Sequence, residues 1–479
     1  MKLVRNIAYN TIISFLGRVV CVALSLVNIG LIARYLGQEG YGSYALILAF
    51  LSIFNNLADF GLYSLMTREI SRPGADEKKI ASNIFTLRIV ILLLFLSLAI
   101  GLVWFFPYPV QVKIGIAIAS VGFLFLSASQ VMMGIFQKYL SVDKPALAEF
   151  IGRIVQIGIV LFCIENELSL FYILGALVVS SFFIFIINFL FARGYIRFSL
   201  AFNFSYWKKV LKTALPIAAS IVLTLIYFKI DSIFLSLDFI NRGSSNPIRD
   251  VGIYNISYKI LESLIFFPSM FVGLIMPLLS KFAIANIAQF KKVFQSSLNL
   301  LIIIVIPLVV GLILLSNPIV VFIGGKNFLI SGSVLKILAL AIGLIYLGSL
   351  FSNSIIALNK QKAGAWIYFI GMIFNIITNL IFIPKYSYLG AAFTTVLTEF
   401  LVTVLMLILV YRTISYFPSF KTGPKSIFAS LLMGGFIYYF QQGSLFLVIG
   451  ASILIYLVIL YFIKGIAKED IILLTKKSY

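Results

Sequence analysis

The sequence predicts an all-α integral membrane protein with about fourteen transmembrane helices, arranged as two parallel six-helix lobes around a central cavity plus two extra C-terminal helices. Composition sets the class, because 62% of the 479 residues are hydrophobic, only 11% are charged and the mean hydropathy is +1.10. These values lie far outside the range of soluble globular domains. The lobes follow from apolar stretches of spanning length and from motifs that recur in the second half of the chain.

The apolar stretches are about 20 residues long, the length of helix that crosses the hydrocarbon core of a bilayer. The shortest is 425–440, whereas 112–136 and 253–279 are long enough to tilt or to contain a break. The predicted spans are 12–33, 43–65, 84–106, 112–136, 146–164, 168–191, 213–235, 253–279, 294–316, 332–357, 364–384, 388–411, 425–440 and 444–463.

The basic residues predict the orientation of these spans. The chain carries 37 Lys and Arg residues against 16 Asp and Glu residues, for a net charge of +21. With the N-terminus in the cytoplasm, most of the basic residues fall in cytoplasmic segments, as the positive-inside rule requires, and both termini lie inside. Topology and anionic inner-leaflet lipid account for the positive charge, so we expect no nucleic-acid partner.

Several kinds of chemistry are excluded by residues that the sequence lacks. The chain has no His, which removes a His-centred proton relay, a His-containing zinc site and a Ser-His-Asp triad. It also has no phosphate-binding P-loop motif, so we expect no ATP hydrolysis. The longest segments outside the spans, 192–212 and 236–252, are too short to bury the core of a soluble domain. No catalytic residue and no resident metal or cofactor is therefore expected.

Two pairs of segments indicate an internal repeat. The pattern of 151–176 is echoed by 370–391, roughly 217 residues later, and the GSY of 42–44 returns as the GIY of 252–254, about 210 residues later. Six spans make one period, so the two copies cross the membrane in the same direction. Chance similarity between Gly-rich and Ile-rich helices is the alternative. The repeat predicts lobes at 1–200 and 201–415, followed by two further helices and a cytoplasmic tail at 416–479.

Five cations interrupt the apolar stretches, and an ionisable side chain at membrane depth marks a candidate site because it is costly without a partner. The three arginines lie roughly 6 to 10 Å inside the cytoplasmic ends of their helices in the first lobe, whereas the two lysines lie nearer the external ends in the second. Such cations predict an anionic cargo. They are Arg18, Arg88, Arg153, Lys229 and Lys259.

Each cation also has a structural interpretation. Arg153 could pair with Glu149, one helical turn earlier, and Lys259 could pair with Glu262 in the same way. A salt bridge to Asp59 is the alternative for Arg18. Arg88 could instead reach lipid headgroups, and Lys229 could extend its ammonium outward to the interface.

Polar residues on corresponding spans form stripes that favour a cavity lining. On the first span the polar residues recur every three or four positions, along one face of a helix, and the seventh span repeats this spacing. Asn28 and Tyr227 on these stripes join the substrate-binding candidates. The alternative is that Ser and Thr hold neighbouring helices together. The stripes comprise Thr11, Ser14, Arg18, Cys21, Ser25 and Asn28, and Thr213, Ser220, Thr224, Tyr227 and Asp231.

Short motifs between and after the first two spans resemble a known family. Residues 34–44 read RYLGQEGYGSY, residues 59–62 read DFGL and residues 67–69 read TRE, while LGAA at 389–392 leads to Thr398 and Glu399. These motifs resemble the Wzx-type polysaccharide flippases, within the superfamily that also contains multidrug and toxin extrusion transporters and lipid II flippases. Gly37, Gly40 and Gly42 suit a tight external turn, where a backbone takes positive φ or approaches a neighbour closely.

The resemblance implies a transporter rather than an enzyme. Its relatives move an isoprenoid-diphosphate-linked oligosaccharide, here expected to carry undecaprenyl, from the cytoplasmic to the outer leaflet of the bacterial inner membrane for surface polysaccharides such as O-antigen. The expected mechanism is alternating access of two lobes. The expected partners are the lipid-linked oligosaccharide, membrane lipid and other polysaccharide assembly proteins. Arg suits this cargo because its planar fork pairs with phosphate oxygens.

The resemblance also implies coupling to a gradient of Na⁺ or H⁺. Four intramembrane acids are the candidates for coupling or for charge pairing, namely Asp59, Asp231, Glu149 and Glu262, and Asp231 is preferred because it lies on a polar stripe. A multidrug exporter of the same fold is the main alternative function, which would favour acidic and aromatic cavity residues for cationic drugs. A membrane enzyme would be expected to carry catalytic groups on a large external loop, which this chain lacks.

Overall fold

The computed structural model describes residues 2–59 and 61–465, with the side chains of 2–16 and 213–227 excepted, and this part of the chain is helical. The helices, with two short 3-10 turns at Val103–Phe105 and Lys326–Phe328, are α1 Lys2–Leu57, α2 Leu62–Ile70, α3 Glu77–Leu102, α4 Val110–Lys138, α5 Asp143–Glu165, α6 Leu170–Tyr195, α7 Phe204–Leu235, α8 Pro247–Ala285, α9 Ile287–Leu314, α10 Ser316–Gly324, α11 Ser331–Ala357, α12 Gln361–Ile414, α13 Thr422–Phe440 and α14 Leu445–Phe462.

Two of these helices run through more than one predicted span: α12 contains 364–384 and 388–411, and α1 contains 12–33 and most of 43–65. The backbone of α1 breaks at Gly37, where φ is 68° and ψ is −172°, and that of α12 breaks at Ser387, where φ is 46°. Glycine takes a positive φ without a steric penalty, so the turn predicted at Gly37 is confirmed. Among the described residues, ten stretches are long and apolar enough to cross a membrane. The all-α membrane fold is thus confirmed, while the count of fourteen spans stays a prediction.

The second predicted span, 43–65, is wrong as a continuous helix. Helix α1 ends at Leu57, and α2 begins at Leu62 after Gly61, whose φ of 66° is left-handed. Asp59 lies in this break, with its carbonyl oxygen accepting a hydrogen bond from the Leu62 amide at 2.9 Å. The break is explained by Gly61, which tolerates the left-handed backbone, and by the pairing of the Asp59 carboxylate with a buried cation described below.

The chain divides into two compact units. The first runs to Leu237 and includes Asn246–Gly252, and the second comprises Asp238–Ser245 and continues from Ile253. In the first unit, α2, α3 and α4 enclose an apolar core around Met66 and Phe136 that extends to Trp207.

In the second unit, the two C-terminal helices pack against α9. Met433 of α13 and Leu460 of α14 are buried in an apolar cluster with Ile303 of α9. The Tyr456 hydroxyl reaches across this cluster and donates to the Ile303 carbonyl at 2.7 Å. It also lies 2.8 Å from the Ser426 hydroxyl of α13. The buried Tyr456 hydroxyl is thus hydrogen-bonded to both α9 and α13, which holds α13 and α14 against α9.

Within the first unit, α1 and the start of α8 approach each other backbone to backbone. A Cβ on Gly42 would overlap the carbonyl oxygen of Ile248, and a Cβ on Gly252 would overlap that of Gln38. The Arg249 Nε donates to the Gln38 side-chain oxygen at 2.6 Å beside this contact. The close approach expected of Gly42 is therefore present. Gly42 and Gly252 occupy corresponding positions in the predicted repeat, 210 residues apart, and so do Gln38 and Ile248. Each glycine therefore contacts the carbonyl oxygen of the residue that precedes the other glycine by four positions.

Candidate functional site

A cavity of about 540 Å³ opens inside the first unit. Its walls come from α1, α2, α4, α5 and α6 and from the break between α1 and α2. Two cations and two carboxylates line it, namely Arg18, Arg153, Asp59 and Glu149. The structure thus brings together four of the residues that the sequence singled out, from three separate parts of the chain.

Arg88 lies behind this cavity wall rather than in it. Its side chain on α3 is completely buried, and one terminal nitrogen lies 3.1 Å from the Asp59 carboxylate, which is 26% exposed. The other terminal nitrogen donates to the Ser127 hydroxyl of α4. Complete burial contradicts the alternative that Arg88 reaches lipid headgroups. The ion pair with Arg88 holds the Asp59 carboxylate at the cavity surface, so Arg88 influences the cavity only by positioning Asp59.

Arg153 forms the pair that its spacing predicted. A guanidinium nitrogen lies 3.6 Å from the Glu149 carboxylate one turn earlier on α5, and both side chains are partly exposed. Another nitrogen donates to the side-chain oxygen of Gln156 at 3.3 Å. Gln156 is buried and orients the guanidinium from one side. A partly hydrated pair at this distance contributes little stability, so an incoming anion can replace Glu149.

Arg18 lies on the same cavity wall one helical turn from Cys21. The residue is exposed, whereas Cys21 is buried. Arg18 and Arg153 therefore share the cavity wall with Asp59 and Glu149, while Arg88 balances the Asp59 carboxylate from behind the wall. Counted together, these three arginines and two carboxylates carry one net positive charge, and the guanidinium groups that line the cavity are those of Arg18 and Arg153.

The remaining candidates lie outside this cavity. Asn28 is buried in α1, and Asp231 is buried in α7, two positions after the partly exposed Lys229. Lys259 donates to Glu262 at 2.9 Å, so this pair neutralises itself as its spacing allowed. The side chain of Tyr227 lies outside the described residues.

Sequence inspection missed the uncharged polar lining of the cavity. Gln130 and Ser129 on α4, Gln156 on α5 and Asn188 on α6 all face it. The Asn188 amide donates to the Ser129 hydroxyl at 2.7 Å, which connects α6 to α4 across the wall. Amide side chains inside apolar spans were the available signal, because polar side chains in a membrane helix face another helix or a cavity rather than lipid.

The connectors of the first unit meet in a second polar group, outside the spans. Lys138 pairs with Glu77 at 2.5 Å, and the Tyr139 hydroxyl donates to the same carboxylate at 2.6 Å. This hydrogen bond raises the pKa of Tyr139 to about 12, since the phenol gives up its proton less readily beside a carboxylate. Tyr139 also stacks on Tyr195 with ring centroids 4.7 Å apart. The contacts tie the α4–α5 connector to the start of α3.

Among the described residues, no group of three or more His, Cys, Asp or Glu side chains lies close enough to hold a metal ion.

Comparisons with known proteins agree with this architecture. Agl15 of Haloferax volcanii, named a probable low-salt glycan biosynthesis flippase, is 24% identical over 449 residues, which cover 91% of this chain and 90% of Agl15. The lipid II flippase MurJ in an inward closed conformation superposes with a TM-score of 0.75 at 21% identity, over 95% of this chain and 99% of MurJ. An inward-facing multidrug resistance MATE family transporter of the MOP superfamily gives a TM-score of 0.65 at 15% identity, over 85% and 98% of the two chains.

The solved structures confirm the fold that the motifs implied, because both similar chains are matched over nearly their whole lengths. A family model described as polysaccharide biosynthesis protein matches residues 7–283, which is more than half of this chain. That range contains the motifs at 34–44 and 59–62 and all four charged residues of the cavity wall. The chain belongs to the polysaccharide biosynthesis protein family.

Proposed function

We propose that this protein is a flippase, which moves an oligosaccharide linked to undecaprenyl diphosphate from the cytoplasmic to the outer leaflet of a bacterial inner membrane. The product would supply surface polysaccharide synthesis, such as that of O-antigen, together with other assembly proteins. The observation that carries the proposal is the first-unit cavity, where Arg18 and Arg153 face a shared space in a polysaccharide biosynthesis family protein. The names of Agl15 and MurJ, both flippases, support it.

The cargo explains why such a cavity is needed. An isoprenoid tail can stay in the hydrocarbon core, whereas a diphosphate and its sugars cannot cross it without polar partners. A cavity with fixed cations supplies those partners, and guanidinium groups bind phosphate oxygens in pairs. Alternating access of the two lobes would then expose the loaded cavity first to one leaflet and then to the other.

Capture of the diphosphate would begin at Arg153. Its contact with Glu149 is 3.6 Å long, beyond the 2.7–2.9 Å typical of a charge-assisted hydrogen bond, so a phosphate oxygen can make a better bond. Gln156 keeps the guanidinium directed into the cavity while Glu149 is displaced. Arg18 would hold the second phosphate.

The amide and hydroxyl groups of the wall would bind the sugars next to the diphosphate. Gln130 and Asn188 offer both donors and acceptors, which suits the hydroxyl groups of a saccharide. Asp59 would contribute an acceptor whose charge Arg88 balances from behind.

We further propose that export is coupled to a gradient of Na⁺ or H⁺. Asp231 is the preferred coupling residue, since its carboxylate is buried in α7 and a buried carboxylate changes its interactions strongly when it binds a cation or a proton. Lys229 and Lys259 would help to hold or release the cargo on the outer side. Asn28 and Tyr227 would complete the polar stripes of the first and seventh spans.

A cation-coupled multidrug exporter is the alternative, and the likeness to MATE transporters favours it at the level of the fold. The cavity wall speaks against it, because Arg18 and Arg153 repel a cationic drug while Arg88 balances the Asp59 carboxylate from behind. Uptake of a labelled cationic drug by proteoliposomes discriminates the two functions.

A direct test uses the purified full-length protein in liposomes with a labelled undecaprenyl-diphosphate oligosaccharide. A membrane-impermeant sugar-modifying enzyme added outside reaches about half of the label without flipping and nearly all of it with flipping. We expect R18Q/R153Q to slow the exchange roughly a hundredfold, since each lost charge-assisted bond costs about 1.5 kcal/mol or more.

The matched control is K360Q/K362Q, which removes two exposed lysines, one from the connector between α11 and α12 and one from the first turn of α12. It should flip at the wild-type rate. The proposal would be overturned if the labelled lipid crossed liposomes with and without the protein at the same rate. An unchanged rate for R18Q/R153Q would overturn it too.

A further inference from the structure

A second cavity of about 250 Å³ lies in the second unit, at the start of α9 and beside the segment that joins α12 to α13. Its lining consists of Lys291, Lys292, Gln295, Ser296 and Tyr416. The cavity is open to the surface, and its volume is ample for a phosphate group. The lipid-linked cargo proposed above uses the other unit, so this cavity has no assigned role.

Gln295 builds the floor of this cavity. Its side-chain oxygen accepts hydrogen bonds from the Tyr416 hydroxyl at 2.8 Å and from the Ser419 amide at 2.7 Å. Its side-chain nitrogen donates to the Ser419 carbonyl at 2.7 Å and to the Asn299 side chain at 2.9 Å. Three of these four hydrogen bonds hold the α12–α13 connector against α9, and the fourth, to Asn299, fixes the Gln295 amide on α9 itself, so the cavity is formed before any ligand arrives.

Two ammonium groups give the cavity its charge. Lys291 lies over the Tyr416 ring, 5.7 Å from its centroid, and Lys292 is exposed on the next position of α9. Among the described residues, neither lysine forms an ion pair with a carboxylate. A preformed cavity with two lysines that lack a described carboxylate partner suits an anion, and phosphate is the anion that Lys binds as a point charge.

An exposed aromatic row beside the cavity adds a second, independent observation. Tyr411, Phe417 and Phe420 are all exposed, and their rings pack in sequence, with centroids 6.3 and 6.1 Å apart. Aromatic side chains concentrate at the level of lipid headgroups, where the ring contacts acyl chains and the polar edge contacts water. The row places the cavity mouth at that level of the bilayer.

We propose that the second cavity binds the phosphate of an anionic phospholipid headgroup. Lys291 and Lys292 contact the phosphate, and the acyl chains pass over Phe417 and Phe420. Exposed Arg412 and Lys421, at the ends of the same connector, add positive charge around the mouth. A bound lipid then bridges α9 and the connector, and so fastens α13 and α14 to the rest of the second unit.

A free phosphate ion would bind the two lysines in the same way as a headgroup phosphate, but it has no acyl chains to contact the exposed aromatic row. The positive-inside rule assigns the connectors before α9 and after α12 to the cytoplasmic face, where anionic lipid is the abundant phosphate source. The aromatic row and the predicted cytoplasmic position of the cavity thus favour a lipid headgroup over a soluble phosphate ion.

The test measures lipid retention by the full-length protein with native mass spectrometry, in a titration with phosphatidylglycerol or phosphatidylcholine. We expect wild type to retain one phosphatidylglycerol more tightly than phosphatidylcholine. Each lysine near an anionic surface contributes roughly a fivefold gain in affinity, so K291Q/K292Q should lose roughly twentyfold. A photoactivatable phosphatidylglycerol should crosslink to the start of α9 or to residues 411–421.

The control is again K360Q/K362Q, which removes two exposed lysines from the same predicted face and the same unit. It should retain lipid as wild type does. Y416F keeps the ring but removes the hydroxyl that donates to Gln295, and it should weaken retention with both lysines in place. Equal losses in K291Q/K292Q and the control, crosslinks elsewhere, or displacement of the lipid by millimolar inorganic phosphate would each overturn the proposal.

Discussion

The pair of Arg88 and Asp59 makes an asymmetric prediction, because its partners differ in burial. The Arg88 side chain is 0% exposed, whereas that of Asp59 is 26% exposed and faces the cavity. Removing one partner of a buried ion pair costs about 3 to 5 kcal/mol when the remaining charge has no water. D59N leaves the buried Arg88 guanidinium with neither a carboxylate nor water around it, so it should lower the free energy of unfolding by this full amount.

R88M leaves a different charge behind. The Asp59 carboxylate keeps its contact with the water of the cavity, so we expect a cost of only about 1 to 2 kcal/mol. The double variant D59N/R88M has no unpaired charge and should be more stable than D59N alone. The two changes are therefore strongly non-additive, as expected for residues in contact.

The assay is denaturant unfolding of the purified full-length protein in mixed micelles, for the three variants and wild type. Arg68 gives the control: its side chain is exposed, and R68Q breaks a 3.1 Å contact with Glu69 but leaves Glu69 paired with Arg72, so it should cost less than about 1 kcal/mol. A cost for D59N no larger than that for R88M, or costs that simply add in the double variant, would refute the assignment of Arg88 as the desolvated partner.

Three further predictions concern single positions. E149Q removes the carboxylate that competes with the diphosphate for Arg153, and it should tighten diphosphate binding about twofold, because an i, i+4 pair contributes about 0.3 to 0.5 kcal/mol. Titration calorimetry measures this affinity. The control E165Q, at an exposed helix end, should leave the affinity unchanged. G42A places a Cβ against the Ile248 carbonyl and should cost about 1 to 3 kcal/mol of unfolding free energy, whereas G101A, with open space around it, should cost nothing. Y139F loses the hydrogen bond to Glu77 and about 1 kcal/mol or less. This hydrogen bond is fully present below the ordinary tyrosine pKa of about 10 and is lost as the pH rises through about 12. The stability cost of Y139F should therefore be constant from pH 6 to 9. A cost that changes within this range would contradict the hydrogen bond between Tyr139 and Glu77.

Helix positions followed from the sequence because each apolar stretch must satisfy its backbone hydrogen bonds within the membrane. The break at Asp59 was not predicted, because apolar residues on both sides of Asn55, Asn56 and Asp59 keep the hydropathy high when it is averaged over the length of a span. Gly61 was a visible signal within the motif at 59–62, but hydropathy averages it away. The structure shows a left-handed backbone there instead.

The candidate site was predictable in part. Arg18 and Arg153 were found because a charge at membrane depth is costly, and both line the first cavity. Arg88 looked equivalent in the sequence, yet its neighbours turn it into the partner of Asp59. Gln130 and Asn188 were overlooked, because an amide alters hydropathy less than a charge does.

The sequence by itself determined the membrane-spanning class, the family motifs and the residues at which charge interrupts an apolar helix, because these depend on composition and on short-range periodicity. The tertiary structure decided which of those charges face a cavity and which neutralise each other. That choice depends on contacts between residues far apart in the chain, such as Asp59 with Arg88 and Asn188 with Ser129. Helical periodicity fixes the face that a side chain occupies, but only packing fixes what lies opposite that face.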